Sequence, residues 1–394
     1  MSVIFTPKAL KGLNINNRFV HSATYESMAS ESGEVTSALI KRYNNLAKGK
    51  IGLIIPGYMY VEPLGQAYKY QTGICEDSMI DGLKKLTHAV HQEKSKIIFQ
   101  IAHAGQQTSK DVIGQSPLGA SSKRIDPINF SKPRKMQEDE IYRIIKAFQE
   151  AAVRCVKAGA DGIQLHAAHG YLINQFISPF FNNRKDDWGG SDENRFRFFK
   201  EIIIKVKSVL PLGMPLLVKL NTNDYTPFDG ISLSLSVKYA RWLKDLGIDG
   251  LEVSCGTASY SFMNICRGDV PVQDFVKSMP WWKKPLFKFV LSIMQGKYNL
   301  KQGYNLEAAK LIKPVIGDIP LLLVGGIRKV DFMNQVLEKG DADFISMSRP
   351  YIREPFLVKQ ISSGKTHEVS CVSCNRCAGA VANDLPVRCY FHGK

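Results

Sequence analysis

The sequence predicts an α/β fold, a (β/α)8 barrel with inserted loops and a short C-terminal cysteine-containing appendage. Three observations carry that expectation. Eight short apolar runs recur along the 394 residues, each followed by a stretch with helical spacing. A punctuation repeats between them: Gly159-Ala160-Asp161-Gly162, Gly247-Ile248-Asp249-Gly250 and Gly340-Asp341-Ala342-Asp343. In each, a glycine can stop a helix and an aspartate can hold backbone amides before the next strand. A chain of this length with 44% hydrophobic residues is ample for one large core.

The apolar runs fall at 19–23, 52–56, 96–101, 162–166, 215–221, 250–254, 320–325 and 343–348. Between them the helical spacing is plain. Ile141, Ile144, Ile145, Phe148, Ala152 and Cys155 follow Gln137 on one face. Phe196, Phe199, Ile202, Ile203 and Val206 do the same after Ser191, a natural N-cap with Asp192 and Glu193 in the first turn. Eight alternations favour a closed parallel barrel over an open sheet. Two long segments, 105–134 and 257–303, leave from the side where such barrels carry chemistry, so both are expected to cover substrate. The second holds an amphipathic piece at 286–294 next to Trp281-Trp282-Lys283-Lys284. Packing on the barrel is its expected role, and contact with a membrane surface is the alternative. The barrel is expected over 1–362 and a tail packed on it over 363–394.

The net charge of +16 favours anionic partners such as phosphates, acyl-CoA, nucleic acid or acidic membranes. The basic residues are spread out, which fits a basic surface around a phosphate-bearing ligand. No run of 18 apolar residues occurs, so no membrane span is expected. The first residues lack the basic and apolar regions of a signal peptide, so a cytoplasmic location is expected. The eight cysteines then read as thiols or metal ligands. No G-x-G-x-x-G follows a strand, so no Rossmann domain is expected.

Polar groups collect where the strands should end. Ser22, Ala23, Thr24 and Tyr25 follow the first run, and Tyr58 the second. Gln100 and His103 close the third, His166 and His169 the fourth, Lys219 and Asn221 the fifth, and Cys255-Gly256 the sixth. Gly325 and Gly326 end the seventh, and Ser348 and Arg349 the eighth, where barrels commonly bind phosphate through backbone amides. Two histidines and Tyr171 at one strand exit form a site that can grip an oxygen and pass a proton. Zinc on H-x-x-H is the weaker alternative, since no third ligand lies close.

The stretch 166–198, H-A-A-H-G-Y-L-I-N-Q-F-I-S-P-F-F-N-N-R-K-D-D-W-G-G-S-D-E-N-R-F-R-F, resembles the signature of the Old Yellow Enzyme family of FMN-dependent NAD(P)H:flavin oxidoreductases and ene-reductases. That resemblance implies FMN at the barrel mouth and NADH or NADPH as reductant. Ser22–Tyr25 would lie beside the flavin, Gln100 at its pyrimidine edge and Lys219 near N1 and O2, where a positive charge favours the reduced anion. The family often has arginine at that strand position; lysine keeps the charge and loses the planar fork. Tyr25 stands where Thr or Cys is usual, and Tyr58 where a small residue is usual. His166 and His169 would bind the carbonyl oxygen of an enone or enoyl substrate, and Tyr171 would protonate its α-carbon. A CoA thioester is the alternative substrate. An RNA dihydrouridine synthase would share the barrel and FMN, but no RNA-binding domain follows, so no nucleic acid is expected. A homo-oligomer is compatible with all of these.

Cys371, Cys374, Cys377 and Cys389 form C-x2-C-x2-C-x11-C, a spacing typical of iron–sulfur or zinc ligation. The tail resembles that of the 2,4-dienoyl-CoA reductase and trimethylamine dehydrogenase branch, whose members carry a [4Fe–4S] cluster. One residue fewer separates the second and third cysteines here. The preferred expectation is a thiol tail without metal, with the cluster next and zinc third.

Overall fold

The computed structural model describes residues 2–391. Its centre is a closed sheet of eight parallel strands: β1 Phe19–His21, β2 Leu53–Ile54, β3 Lys96–Ala102, β4 Gly162–Ala167, β5 Leu216–Asn221, β6 Gly250–Ser254, β7 Leu321–Val324 and β8 Phe344–Met347. Each of the eight lies within one residue or two of an apolar run in the sequence. Ile345 of β8 pairs with Phe19 of β1, and Leu53 of β2 with Lys96 of β3, which completes the ring. A further strand, Met59–Tyr60, extends alongside the end of β3.

Helices α1 Ser37–Lys48, α2 Ile80–His91, α3 Glu138–Lys157, α4 Asp192–Lys207, α5 Leu233–Asp245, α6 Leu306–Ile316, α7 Val330–Glu338 and α8 Leu357–Ser362 follow the strands in turn. The start of α3 is a capping box between Gln137 and Glu140, and Ser191 accepts from the Asn194 amide at the start of α4.

The three aspartates of the repeated punctuation act alike. Asp161, Asp249 and Asp343 accept from the amides of Ile97, Leu216 and Leu321, at 2.8, 2.9 and 2.9 Å. Each thus clasps its own strand to the start of the neighbouring one. The preceding glycines, Gly159, Gly247 and Gly340, take the left-handed φ that ends a helix.

The two-residue period of the strands sorts their side chains into shells. Phe99, Ile163, Leu165, Val218 and Leu251 face the helices. Val20, Leu53, Ile98, Leu217, Leu322 and Phe344 fill the barrel interior, with Leu10 and Ile15 of the hairpin Lys8–Leu10/Leu13–Ile15 joining that cluster. One step nearer the C-terminal ends, the interior layer turns polar: Gln100, Gln164, Lys219, Glu252 and Ser346, all buried.

The two insertions differ from expectation in one respect. Residues 257–303 reach the cavity described below, whereas none of 105–134 lines it. The earlier segment braces the later one instead. Ser259 Oγ donates to Gln107 Oε1 at 2.5 Å and also meets Asp126, and the Tyr260 hydroxyl donates to the Ile125 carbonyl at 2.5 Å.

Candidate functional site

At the C-terminal ends of the strands lies a mostly apolar cavity of about 260 Å³. The placement follows from the shells: the interior is solid below the polar layer and opens above it. Ser22, Ala23, Thr24, Tyr25, Tyr58, His166, His169, Tyr171, Lys219, Gly325, Gly326, Ser348 and Arg349 all line it. Gln100 does not; it belongs to the polar layer and is fully buried there.

His166 is in β4 and His169 lies just past its end, with ring centroids 5.1 Å apart. The backbone turns sharply between them and Tyr171. His169 holds φ at 62°, a left-handed value that is costly for a side-chain-bearing residue. Its amide is held by Asn221 Oδ1 at 3.2 Å and its Nε2 lies 2.7 Å from Ser254 Oγ. Nδ1 of His166 accepts from the Ala168 amide at 3.2 Å, so the ring proton belongs on Nε2. Burial keeps both imidazoles well below the usual histidine range; for His166 the neighbouring His169 and Lys219 add to this, and for His169 Lys219 does. Both are therefore neutral hydrogen-bonding groups near pH 7.

Tyr171 packs its ring 4.7 Å from that of His166, and its hydroxyl shares a 2.6 Å hydrogen bond with the Tyr58 hydroxyl. Burial, with Tyr68 next, holds the Tyr171 phenol well above the ordinary tyrosine value. It stays protonated. Tyr25 stacks on Tyr68 at 4.8 Å, so four tyrosines make one side of the cavity.

Beneath lies a buried polar ladder across five strands. Gln100 donates to Gln164 at 2.6 Å, and Gln164 to Glu252 at 3.0 Å. Glu252 also accepts from Ser22 at 2.7 Å and pairs with Lys219 at 3.2 Å, while Lys219 donates to Ser22 at 2.9 Å. Two polar atoms of the layer, Gln100 Oε1 and Ser346 Oγ, are buried without a partner. Unpaired buried acceptors and hydroxyls are costly, and here they border the cavity floor. The donors and acceptors of a flavin pyrimidine edge would satisfy that kind of layer.

At the other end, Gly325 and Gly326 are packed too closely for a side chain: a Cβ on Gly326 would come 2.4 Å from the Lys301 carbonyl. Two guanidinium groups, Arg328 and Arg349, border the same wall. Thr24 and Ser348 meet through their hydroxyls at 2.6 Å. Close backbone and two fixed positive charges suit a phosphate. The residues present thus fit FMN: Arg328, Arg349 and the glycine pair would hold the phosphate, and Lys219 with the ladder would meet the ring.

The tail completes the wall. Cys377, Ala378, Val381, Ala382 and Val387 all line the cavity. Asn375 anchors them: its Nδ2 donates to the carbonyls of Cys266 and Asp269, and its Oδ1 accepts from Arg349 at 2.5 Å. Arg328 donates to the Cys371 carbonyl and to Ser373 Oγ, and the Val387 amide to the Glu26 carbonyl at 2.7 Å. Cys371, Cys374, Cys377 and Cys389 come together around one small cleft of about 20 Å³, room for about one water. Their thiols are the right donors for iron or zinc, but among the described residues no group of three or more His, Cys, Asp or Glu side chains is placed to hold a metal ion. Burial pushes the Cys377 thiol up to about 12 against the opposing charge of Arg349.

The sequence reading did not single out Glu252, Tyr68, Tyr304, Arg328, the Phe262–Ile265 turn or the tail's Ala378–Val387 as parts of this site. A carboxylate inside an apolar strand, Gly250-Leu251-Glu252-Val253, was a signal for the first. For the tail there was none, because its register on the barrel is set by contacts from 26 to more than a hundred residues away in the chain.

Comparison with known proteins agrees with this fold. A family described as NADH:flavin oxidoreductase / NADH oxidase matches residues 3–260. The chain is 33% identical over 393 residues to an NADH oxidase of Thermoanaerobacter brockii, covering 98% of this chain and 55% of that protein. It thus spans about half the length of that curated relative. Among solved structures, a 2-naphthoyl-CoA reductase complexed with 2-naphthoyl-CoA superposes with a TM-score of 0.85 at 25% identity, over 98% of this chain and 56% of that one. An Old Yellow Enzyme homologue of Zymomonas mobilis gives 0.74 at 24% identity, over 94% and 95%. The latter likeness speaks to the fold.

Proposed function

The chain belongs to the NADH:flavin oxidoreductase / NADH oxidase family, and we propose that it reduces the C=C bond of an α,β-unsaturated carbonyl compound at the expense of NAD(P)H. The observation that carries this reading is the meeting of two neutral imidazoles and one protonated phenol in a single cavity. FMN, held by Lys219, Arg328, Arg349 and the Gly325-Gly326 pair, would supply the hydride chemistry that links NAD(P)H to the β-carbon. The protein's own groups do the rest. His166, with its proton on Nε2, and His169 hydrogen-bond the carbonyl oxygen and stabilise the charge that builds there as the alkene is reduced. Tyr171 gives its proton to the α-carbon, and Tyr58, 2.6 Å away, supports the phenol that has given it. Lys219, fixed by Glu252 and Ser22, supplies a positive charge at the cavity floor. The apolar wall keeps water from the reacting carbon.

A CoA thioester is the second reading. It draws on the solved relative that binds 2-naphthoyl-CoA and on the +16 charge of the chain. Anaerobic reduction by NADH and NADPH, followed by oxidation with a panel of enones, nitroalkenes and enoyl-CoAs, separates the two. Fast oxidation by enones is expected. Oxidation by dioxygen alone would make the protein an oxidase and defeat both readings.

A further inference from the structure

We propose that the face formed by Trp281, Trp282 and the helix Lys284–Met294 docks the protein onto an anionic lipid bilayer. The helix has eleven residues, and none of them is buried. Its inner side is nonetheless attached: Phe287 packs edge-on against Phe130 at 6.2 Å, and Lys283 lies over the Phe130 ring and donates to the Ile128 carbonyl at 3.2 Å. Its outer side is also apolar. Leu286, Phe289, Val290 and Ile293 recur at the helical i, i+3, i+4, i+7 spacing, and all four are exposed, Phe289 by 66%. Trp281 and Trp282 precede them in the turn, exposed by 82% and 58%. A helix with apolar groups on both sides has one face too many for a chain in water.

The charge identifies what covers that face. Between Asp274 and Glu307 the chain has six lysines, at 277, 283, 284, 288, 297 and 301, and no acidic residue. Two copies meeting through this face would set two of these basic, acid-free segments against each other. An anionic bilayer neutralises them and receives the apolar stripe in its interfacial region, where paired tryptophans at a helix entry are favoured. The attachment is peripheral, as no helix among the described residues is long and apolar enough to cross a membrane. The same insertion supplies Phe262, Ile265 and Cys266 to the cavity wall, so docking would bring the site close to a lipid surface. The proposal does not depend on the substrate assigned above.

The test is flotation of the flavin-loaded full chain with vesicles of phosphatidylcholine alone or mixed with phosphatidylglycerol. Binding is expected to the mixed vesicles at low salt, with a blue shift of tryptophan emission, and to be released by high salt. Phe289→Glu with Ile293→Glu should abolish it. Lys284→Ala with Lys288→Ala should weaken it about 25-fold, at about fivefold per lysine. Phe289, Ile293 and Lys288 are exposed and Lys284 is half-buried, and flavin content with melting temperature confirms folding. Trp282→Ser gives a milder second variant should the glutamates disturb the helix. Failure of the wild-type protein to float with anionic vesicles overturns the proposal. So does a dimer in sedimentation that Phe289→Glu dissociates, or retention on an acidic protein that persists where vesicles fail.

Discussion

Tyr171 can act as an acid because its surroundings forbid the phenolate. Burial and the neighbouring tyrosines hold its proton, and His166 packs against its ring. The phenol is needed only when the α-carbon takes a proton, so the two half-reactions should respond differently to its loss. Tyr171→Phe is expected to slow oxidation of the reduced enzyme by an enone roughly 100- to 10,000-fold and to leave reduction by NAD(P)H nearly unchanged. Stopped-flow traces of flavin absorbance resolve both. Equal losses in the two would mean that Tyr171 holds the flavin and donates no proton. That His166, His169 and Tyr171 share one cavity was legible from residue type and spacing, as three polar groups at one apolar strand's exit. That Tyr58 would touch Tyr171 was not, because the two are 113 positions apart and meet only when β2 and β4 share a barrel.

The strand starts show how much of an element can be read from its neighbours. Three sequence repeats placed an aspartate before β4, β6 and β8, and all three accept a backbone amide from the adjoining strand. Asp249→Ala leaves the fully buried Leu216 without a partner for its N–H, at a cost of about 1–3 kcal/mol. Thermal unfolding should show a fall in Tm. Lys11→Ala removes the neighbouring ion pair and a long 3.4 Å bond to the Met214 carbonyl and should change little, so equal effects in the two variants would assign the loss to these surface contacts. The cysteine tail is the contrary case. Its spacing advertised metal chemistry, while its packing makes it a wall of the cavity. Asn375→Ala breaks the tail's anchor to Cys266, Asp269 and Arg349 and is expected to weaken FMN binding about tenfold, since two or three hydrogen bonds at about 1 kcal/mol each are lost with part of the wall retained. Cys374→Ser touches no part of the cavity lining and should keep both FMN and enone turnover. Near four irons per chain after anaerobic purification, together with loss of turnover in Cys374→Ser, would show the tail to be an electron relay.

Across the molecule, buried histidines set the response to acid. His21 is held down to about 3 by burial, with Arg42 next, and His166 and His169 lie well below their ordinary value. In the unfolded chain all three titrate near 6.5. Below that pH the unfolded state binds protons that the folded state refuses, so stability is full above 6.5 and drains as pH falls toward 3. The slope is about 1.4 kcal/mol per pH unit for each histidine. Glu26, raised to about 7 by burial, acts in the opposite sense, since its contribution is lost as pH rises through 7; burial raises Asp126 and Asp224 as well, but the three histidine shifts are the larger. Melting temperatures are therefore expected to drop steadily from pH 6.5 to 5, and a flat profile would contradict the burial of the three rings. The barrel itself was open to sequence reading because period-two strands, helical spacing and clasping turns are local patterns that the whole fold repeats. The cavity was readable only in part, because it joins positions from Ser22 to Val387 and its last wall has no local signature. That span has a consequence in time. A growing chain that has already released all eight strands owns a barrel and still lacks a pocket; the tail must emerge and dock before there is anywhere for the cofactor to stay. Colour, in this protein, should wait for the tail.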